Sequence, residues 1–277
     1  MTVTGILHPG QMGATIAATC SGTTLWASAG RTAATQRRAE DAGLTDAETV
    51  AGLVERADTI VSVCPPARAV AVAQQVADAG FAGVYVDANA VSPTTAAVIA
   101  ELFEHYVDGG IIGPPAHLDG TTRMYLSGHD AAAVAERWAG SVLDVRVVDG
   151  GVGAASALKM CFAGWTKGST ALLLAINAAA QHYEVHEALF DEWAISIPDQ
   201  AARSDGAARA ASPKAWRFEG EMREIAATFV DAGLPAGFHQ AAAEIFGRMT
   251  GFRAADAPPD LDTVIAALLD ADGVGPS

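Results

Sequence analysis

Short, mostly apolar runs alternate with alanine-rich segments of helical periodicity through the first half of this chain, and this alternation constrains its fold most. Val3–Leu7, Thr59–Val63 and Val84–Asp87 are runs of this kind. Continuous apolar runs are typical of parallel strands that helices cover on both faces. The alternation therefore predicts βαβ units and a parallel sheet. Further strands are predicted at Thr24–Ala27, Val107–Ile112, Met124–Leu126 and Val145–Val148.

Helices are predicted between these strands and throughout the second half of the chain. Met12–Thr19 has helical periodicity. Thr45, with Glu48 three residues later, has the spacing of a capping box, which predicts a helix that begins at Thr45. From Ala154 onwards the strand signals stop and helical periodicity takes over.

The chain is acidic, with 17 basic and 32 acidic residues and a net charge of −15. Such a surface repels phosphate backbones and anionic lipids, so we expect neither a nucleic-acid partner nor a membrane. The three cysteines, Cys20, Cys64 and Cys161, are too widely spaced for a disulfide framework or a zinc motif. The first strand begins too near the N-terminus to leave room for a signal peptide. We therefore expect a cytoplasmic protein with a small-molecule substrate.

The first predicted strand leads into a degenerate glycine-rich loop, His8-Pro9-Gly10-Gln11-Met12-Gly13. In the G-x-G-x-x-G pattern the second and third glycines are present, and His8 replaces the first. Gly10 permits close approach of a pyrophosphate, Gly13 permits close packing of helix on strand, and the helix N-terminus supplies free N–H groups. An ordinary strand–helix turn is the alternative. The motif predicts dinucleotide binding by His8, Pro9, Gly10, Gln11 and Met12.

This loop makes the first half of the chain a candidate dinucleotide-binding domain. We predict an α/β Rossmann domain over residues 1–152, followed by an all-α domain over residues 153–277. The small residues Gly150–Gly153 precede the long helix that joins the two.

The segment after the second strand indicates which cofactor binds. A site for NAD places an acidic residue there to hold the ribose 2′-hydroxyl, but no Asp or Glu occurs between Ser21 and Ala39. Ser28, Arg31 and Thr32 instead offer a pocket for a 2′-phosphate, since a guanidinium matches phosphate geometry. A solvated basic helix start is the alternative. The segment favours NADP(H).

The sequence resembles the β-hydroxyacid dehydrogenase superfamily, which includes 6-phosphogluconate and 3-hydroxyisobutyrate dehydrogenases and, more distantly, imine reductases. The resemblance covers most of the chain and is closest to a subgroup with a divergent C-terminal helical domain. The stretches that carry it are His8–Gly13, Val61–Pro66, Asp87–Pro93, Asp108–Pro114 and Gly153–Lys159.

The resemblance implies roles for particular residues. Cys64, Pro65, Pro66 and Asn89 would lie against the adenosine and nicotinamide portions of the cofactor, and Gly113 and Pro114 would border the substrate. Lys159 matches the catalytic lysine, which exchanges a proton with the carbonyl or hydroxyl oxygen. The residues agree, because Lys159 lies in an apolar helix and burial moves a lysine pKa toward neutrality. A lysine that snorkels from the helix flank is the alternative.

Departures from the family pattern bear on the substrate. Ala163 stands where the family has an asparagine, and Ile112 where it has a serine. The late lysine–aspartate pair of the family aligns with Gly220–Glu221, so its lysine is missing. These losses favour a larger or less polar substrate than a small hydroxy acid, either a carbonyl compound or an imine.

In the second half, aromatic and basic side chains are candidates for substrate binding, with core packing as the alternative. Lys167, two turns beyond Lys159 on the same helix face, is expected to be solvated, and replacement of a missing polar group of the family is the alternative. The pair His182 and His186 lacks the glutamate of a zinc-protease motif, so no metal is expected. The substrate candidates are Trp216, Arg217, Met222 and His239.

We thus expect an NADP(H)-dependent dehydrogenase or reductase that acts on a CH–OH or C=O group with Lys159 as general acid or base. An NADPH-dependent imine reductase and a catalytically inactive NADP(H)-binding regulator are the alternatives. The resemblance also implies a homodimer with interlocked helical domains.

Overall fold

The computed structural model describes residues 2–270. The chain divides into two compact units between Met160 and Cys161, inside one long helix. The first unit is α/β and the second is all-helical, so the predicted fold class is confirmed.

Eight strands form one sheet in the first unit, in the order β3-β2-β1-β4-β5-β6-β7-β8. All seven predicted strands are present, and β3 is additional. Neighbours are parallel except β6 and β7, which pair antiparallel. The predicted parallel sheet is confirmed except at this pair, where the segment between β6 and β7 contains no crossover helix. The strands are β1 Val3–Ile6, β2 Thr23–Trp26, β3 Thr45–Asp46, β4 Thr59–Ser62, β5 Val84–Asp87, β6 Tyr106–Ile112, β7 Arg123–Ser127 and β8 Asp144–Val147.

Helices cover both faces of this sheet, which explains why its central strands are mostly apolar. Ile16, Ala39 and Trp138 belong to the core on one face, and Leu53 and Ile99 to the core on the other. The helices are α1 Gln11–Ala18, α2 Ala33–Asp41, α3 Val50–Arg56, α4 Ala69–Asp78, α5 Pro93–Ala100 and α6 Ala131–Ala135.

The prediction of a helix that begins at Thr45 was wrong. Thr45 lies in β3, which pairs with the end of β2, and the helix begins later. Thr49 is the N-cap of α3, and its hydroxyl accepts a hydrogen bond from the Gly52 N–H at 3.1 Å. Tertiary strand pairing has overridden a local capping signal.

The second unit consists of helices packed around apolar side chains such as Met222, Ile225 and Phe246, all fully buried. Within residues 2–270, no helix is long and apolar enough to cross a membrane. The helices are α7 Ala154–His182, which begins in the first unit, then α8 His186–Ser196, α9 Gln200–Ala211, α10 Ala215–Asp231, α11 Gly237–Gly247 and α12 Leu261–Leu269.

Candidate active site

The sheet order brings most of the predicted cofactor residues to one edge. β1 lies between β2 and β4, and β5 follows β4, all of them parallel. The carboxyl ends of parallel strands meet at the same edge, and the crevice where the strand order reverses is the usual ligand site of such sheets. The loops that open there contain His8–Gly10, Ser28–Thr32, Cys64–Pro66 and Asn89.

The glycine-rich loop is shaped as the motif predicts. A Cβ on Gly13 would lie 2.3 Å from the His8 carbonyl oxygen, so only glycine allows α1 to begin this close to β1. A Cβ on Gly10 would meet nothing within 4 Å. Space therefore remains open at the start of α1, where the first N–H groups, those of Gln11 and Met12 among them, have no acceptor within the helix.

His8, which replaces the first glycine, is partly buried, and one of its ring nitrogens is shielded from solvent. In the described part of the chain its Nδ1 atom has no hydrogen bond. Burial, followed by the charges of Arg31 and Arg68, lowers the His8 pKa to about 4. The imidazole is therefore neutral near pH 7 and keeps an unused ring nitrogen at the loop.

Two arginines from the β2–α2 segment hold the glycine-rich loop. Arg31 donates from Nη2 to the Leu7 carbonyl at 3.3 Å, and Arg38 donates from Nη1 to the Pro9 carbonyl at 3.1 Å. The Arg31 Nε atom is buried without a hydrogen-bond partner in residues 2–270. Burial, and then the charge of Arg68, lower the Arg31 pKa.

Ser28 and Thr32 have local partners. The Thr32 hydroxyl is the N-cap of α2 and accepts from the Thr35 N–H at 3.3 Å. The Ser28 N–H donates to Asp46 Oδ1 at 3.3 Å, and the same oxygen accepts from the Glu48 N–H at 2.7 Å. Sequence reasoning missed Asp46 because it lies at the end of β3, which was not predicted. This carboxylate is engaged in building the turn.

Asn89 organises the loop after β4. Its Oδ1 atom accepts from the Cys64 N–H at 2.5 Å, and its Nδ2 atom donates to the Ser62 hydroxyl at 3.1 Å. Its own N–H donates to Asp87 Oδ1 at 3.0 Å. The buried amide thus ties the ends of β4 and β5 together and holds Cys64 in place, with Pro65 and Pro66 directly after it. Burial raises the Cys64 pKa to about 11, which keeps the thiol protonated.

The start of α7 is fixed to the sheet through Asp108 of β6. The buried carboxylate accepts from the Ser156 N–H at 2.9 Å and from the Ser127 hydroxyl at 3.0 Å, and the Ser156 hydroxyl also donates to it. The Ser127 oxygen accepts from the Ala155 N–H at 3.1 Å. An anion is favourable at a helix N-terminus, so this network fixes where α7 begins.

Lys159 lies one turn further along α7, directly over β6. A Cβ on Gly110 would lie 2.9 Å from both the Lys159 Cβ and the Ala155 carbonyl oxygen, so Gly110 permits this close packing. Asp87, the last residue of β5, pairs with Asp108, so Gly110 lies two residues beyond the last pair of β5 with β6. The predicted catalytic lysine therefore lies at the edge of the sheet where the loop after β5 begins.

Gly113 and Pro114 follow β6 at the same edge. Gly113 has φ +126°, and a Cβ there would lie 2.3 Å from the Thr121 carbonyl oxygen. The Thr122 hydroxyl donates to the Pro114 carbonyl at 2.6 Å, and the Ala116 N–H donates to the Thr15 hydroxyl at 3.0 Å. The loop is doubled back on itself and attached to α1.

The structure does not bring together the four substrate candidates of the second unit. The Arg253 guanidinium stacks on the Trp216 ring at 4.0 Å, whereas Arg217 is exposed. Met222 is fully buried in the core. His239 packs on the Phe229 ring, 4.2 Å between centroids, and lines an apolar groove beside α7.

Lys167 was expected to be solvated, and this was wrong. Its Nζ atom forms an ion pair with Glu221 at 2.7 Å, and only 14% and 12% of the two side chains are exposed. The Phe218 ring lies 5.1 Å from the ammonium. Glu221 and Phe218 on α10 cover this face of α7. In the described residues, no cluster of three or more His, Cys, Asp or Glu side chains is placed to hold a metal ion.

Comparison with known proteins supports this architecture. Residues 180–249 match a family described as a domain of unknown function, DUF1932. An uncharacterised 28.5 kDa protein of Methanothermus fervidus is 31% identical over 155 residues, which span 54% of this chain and 59% of that protein. The chain thus matches about three fifths of that relative's length.

Solved structures are similar over nearly the whole chain. A conserved hypothetical protein of Sinorhizobium meliloti is 24% identical with a TM-score of 0.69, covering 97% of this chain and 96% of that one. The 3-hydroxyisobutyrate dehydrogenase of Mycobacterium tuberculosis is 18% identical with a TM-score of 0.64, covering 97% and 99%. The chain has the β-hydroxyacid dehydrogenase fold. The predicted resemblance is confirmed at this level. A reductive aminase of Aspergillus terreus shares the fold at 17% identity and a TM-score of 0.54, covering 96% and 98%.

Proposed function

We propose that this chain is a cytoplasmic NADP(H)-dependent oxidoreductase that acts on a carbonyl or hydroxyl group. One observation carries the proposal. In a chain of net charge −15, the edge of the sheet beside an open glycine-rich loop holds Arg31, Arg38 and Arg68, and none of them pairs with a carboxylate in residues 2–270. Uncompensated cations at a helix N-terminus suit a polyphosphate ligand.

The residues present fit a phosphorylated dinucleotide. The space over Gly10 would admit a pyrophosphate against the first N–H groups of α1. The His8 Nδ1 and Arg31 Nε atoms are buried polar atoms whose partner is missing from the described residues, as expected where a ligand supplies it. Ser28, Arg31 and Thr32 would hold the 2′-phosphate. Cys64, Pro65 and Pro66, held by Asn89, would border the rest of the cofactor.

When bound, the nicotinamide would supply the hydride for reduction or accept it in oxidation. Lys159 would donate a proton to the carbonyl oxygen in reduction and accept the hydroxyl proton in oxidation. Asp108 holds the start of α7, and Gly110 allows the helix to lie on the sheet. Together they fix the backbone at Lys159, which restricts the positions that its amine can reach.

The apolar side chain of Ile112 favours a substrate less polar than a small hydroxy acid. Ile112 stands at a polar position of the family and is buried. Gly113 and Pro114 would border the substrate. We therefore place a bulky ketone or aldehyde first. An imine is the second candidate, since a reductive aminase shares the fold, and a regulator that binds NADP(H) without turnover is the third.

The first experiment measures binding of NADPH and NADH to the wild-type chain, to Arg31→Ala and to Arg37→Ala. Arg37 is exposed on α2 and serves as the matched control. We expect NADPH to bind more tightly than NADH, and Arg31→Ala alone to weaken NADPH by about 10-fold or more, the loss of a charge-assisted hydrogen bond. Absence of binding to either nucleotide would overturn the proposal. Turnover on a panel of carbonyl compounds and imines then separates an enzyme from a regulator.

We also propose that the second unit binds a second copy of the chain. Trp165 on α7 is 77% exposed and Phe238 on α11 is 80% exposed, and both line the apolar groove, about 490 Å³ in volume, that contains His239. Leu172 continues the apolar face along α7. An exposed apolar face that extends along a helix is better suited to packing against another protein surface than to binding a small ligand. Light scattering should show a dimer for the wild type, a monomer for Trp165→Lys, and a dimer for Val230→Lys, an exposed apolar residue outside the groove lining.

A further inference from the structure

The loop after β4 carries an arginine that no motif of the sequence singled out. We propose that Arg68 is a specificity-determining residue for the phosphorylated form of the cofactor, and that it acts with Arg31 on two sides of one anion site. This inference rests on the proposed function and names the residue by which the same site distinguishes NADP(H) from NAD(H).

The placement follows from the strand order. Arg31 comes after β2 and Arg68 comes after β4, whereas His8 comes after β1, which lies between those two strands. The three side chains therefore extend from three adjacent strand ends. Their mutual influence agrees with this placement, because the charge of Arg68 contributes to lowering the pKa of both His8 and Arg31, after burial in each case.

The backbone that carries Arg68 is well fixed. Residues Pro66–Arg68 form a 3₁₀ turn in which Pro66 is buried, and the Arg68 N–H donates to the Pro65 carbonyl at 2.9 Å. Asn89 holds Cys64 just before this turn. The Arg68 side chain itself is exposed. A rigid backbone with an exposed guanidinium is suited to reaching a ligand that occupies the crevice.

Charge balance indicates what the ligand must supply. Within residues 2–270, neither Arg31 nor Arg68 forms an ion pair, and the carboxylate of Asp46 is engaged by two backbone N–H groups. Two guanidinium groups close to each other repel, and a phosphate monoester, with a charge of about −1.5 to −2 at neutral pH, relieves the repulsion. A ribose hydroxyl leaves it unrelieved. Arg31 and Arg68 together therefore favour binding of NADP(H) over binding of NAD(H).

The test uses Arg68→Gln, which shortens the side chain, keeps it polar and removes its charge. Dissociation constants are measured for NADPH, NADH, 2′,5′-ADP and 5′-AMP at one salt concentration. We expect NADPH and 2′,5′-ADP to bind about 10-fold more weakly, and NADH and 5′-AMP to change by less than about 2-fold. Arg37→Gln is the matched control and should change none of the four. Near-UV circular dichroism verifies that each variant is folded.

Combining Arg68→Gln with Arg31→Gln sharpens the result. If both arginines act on one phosphate, the loss of NADPH affinity in the double variant differs from the product of the single losses. Equal weakening of NADPH and NADH in Arg68→Gln would assign Arg68 to a part shared by both cofactors and overturn the inference. So would unchanged NADPH binding, while the proposed function would stand. If the wild type binds no nucleotide, both fail.

Discussion

The two units use their polar side chains in different ways. In the first unit, polar groups converge on one edge of the sheet, where Asn89 and Asp108 each join several segments and leave the loops between them open. In the second unit, polar groups join helices to each other. Lys167 pairs with Glu221, and Asn177 donates to the Ser204 hydroxyl at 3.1 Å, with both partners buried.

This difference shows in which unit a sequence motif can predict the position of a residue in space. In a parallel sheet, hydrogen bonding between strands determines which loops meet, so a residue's position after a strand places it in space. In a helical unit, a side chain's neighbours depend on how whole helices pack. We therefore expect substitutions at the sheet edge to alter function, and substitutions of buried polar groups in the helical unit to alter stability.

The largest effect is expected at Lys159. Lys159→Ala removes the proposed proton donor and should lower the turnover of an active substrate by about 1000-fold, while NADPH affinity changes by less than about 2-fold. Steady-state rates and cofactor titrations measure the two quantities. Lys214→Ala, an exposed lysine of the second unit, is the control and should leave both unchanged. Normal turnover in Lys159→Ala would contradict the expectation that substitutions at the sheet edge alter function.

Removal of one partner from the Lys167–Glu221 pair should come next. Lys167→Met leaves the Glu221 carboxylate nearly buried and unpaired, which should reduce the free energy of unfolding by about 3 kcal/mol. Urea denaturation measures this loss, again with Lys214→Met as control. NADPH affinity should be unchanged. A variant that is fully stable but has lost NADPH binding would contradict the division of roles between the units.

The smallest effect is a pH dependence from His8. Burial lowers its pKa from 6.5 to about 4, so protonation favours the unfolded chain. The contribution of His8 to the free energy of unfolding is fully present above about pH 6.5, decreases as the pH falls toward about 4, and stays constant below that. Because the side chain is partly exposed, this contribution amounts to about 2 kcal/mol in total. Unfolding free energies across this range should vary less in His8→Gln than in the wild type, whereas His129→Gln, at an exposed site, should match the wild type.

Much of the first unit could be predicted from sequence. Apolar runs gave the strands, and Gly10 and Gly13 marked the loop after β1. The errors arose where tertiary contacts overrode local signals. Thr45 has a capping pattern, yet it pairs with β2, and the antiparallel β6–β7 pair depends on a loop that local periodicity does not reveal.

The second unit was less predictable for a physical reason. Its candidates Trp216, Met222 and His239 carry suitable chemistry, but helix packing distributes them to a cation–π pair, the core and a groove. Lys167 was misjudged because its partner lies 54 residues away on another helix. Arg68 was missed because a lone arginine after a strand has no pattern, and its neighbours are known only once the strand order is known.

The point at which α7 begins has a consequence for the redesign of this chain. Because Asp108 and Ser156 fasten the first turns of this helix to the sheet, Lys159 belongs to the same unit as the proposed nucleotide loops. A crossover placed after Met160 would introduce a different helical unit while keeping both the proposed nucleotide loops and the proposed proton donor. Such a chimera separates the contribution of the helical unit from that of the proposed reaction centre.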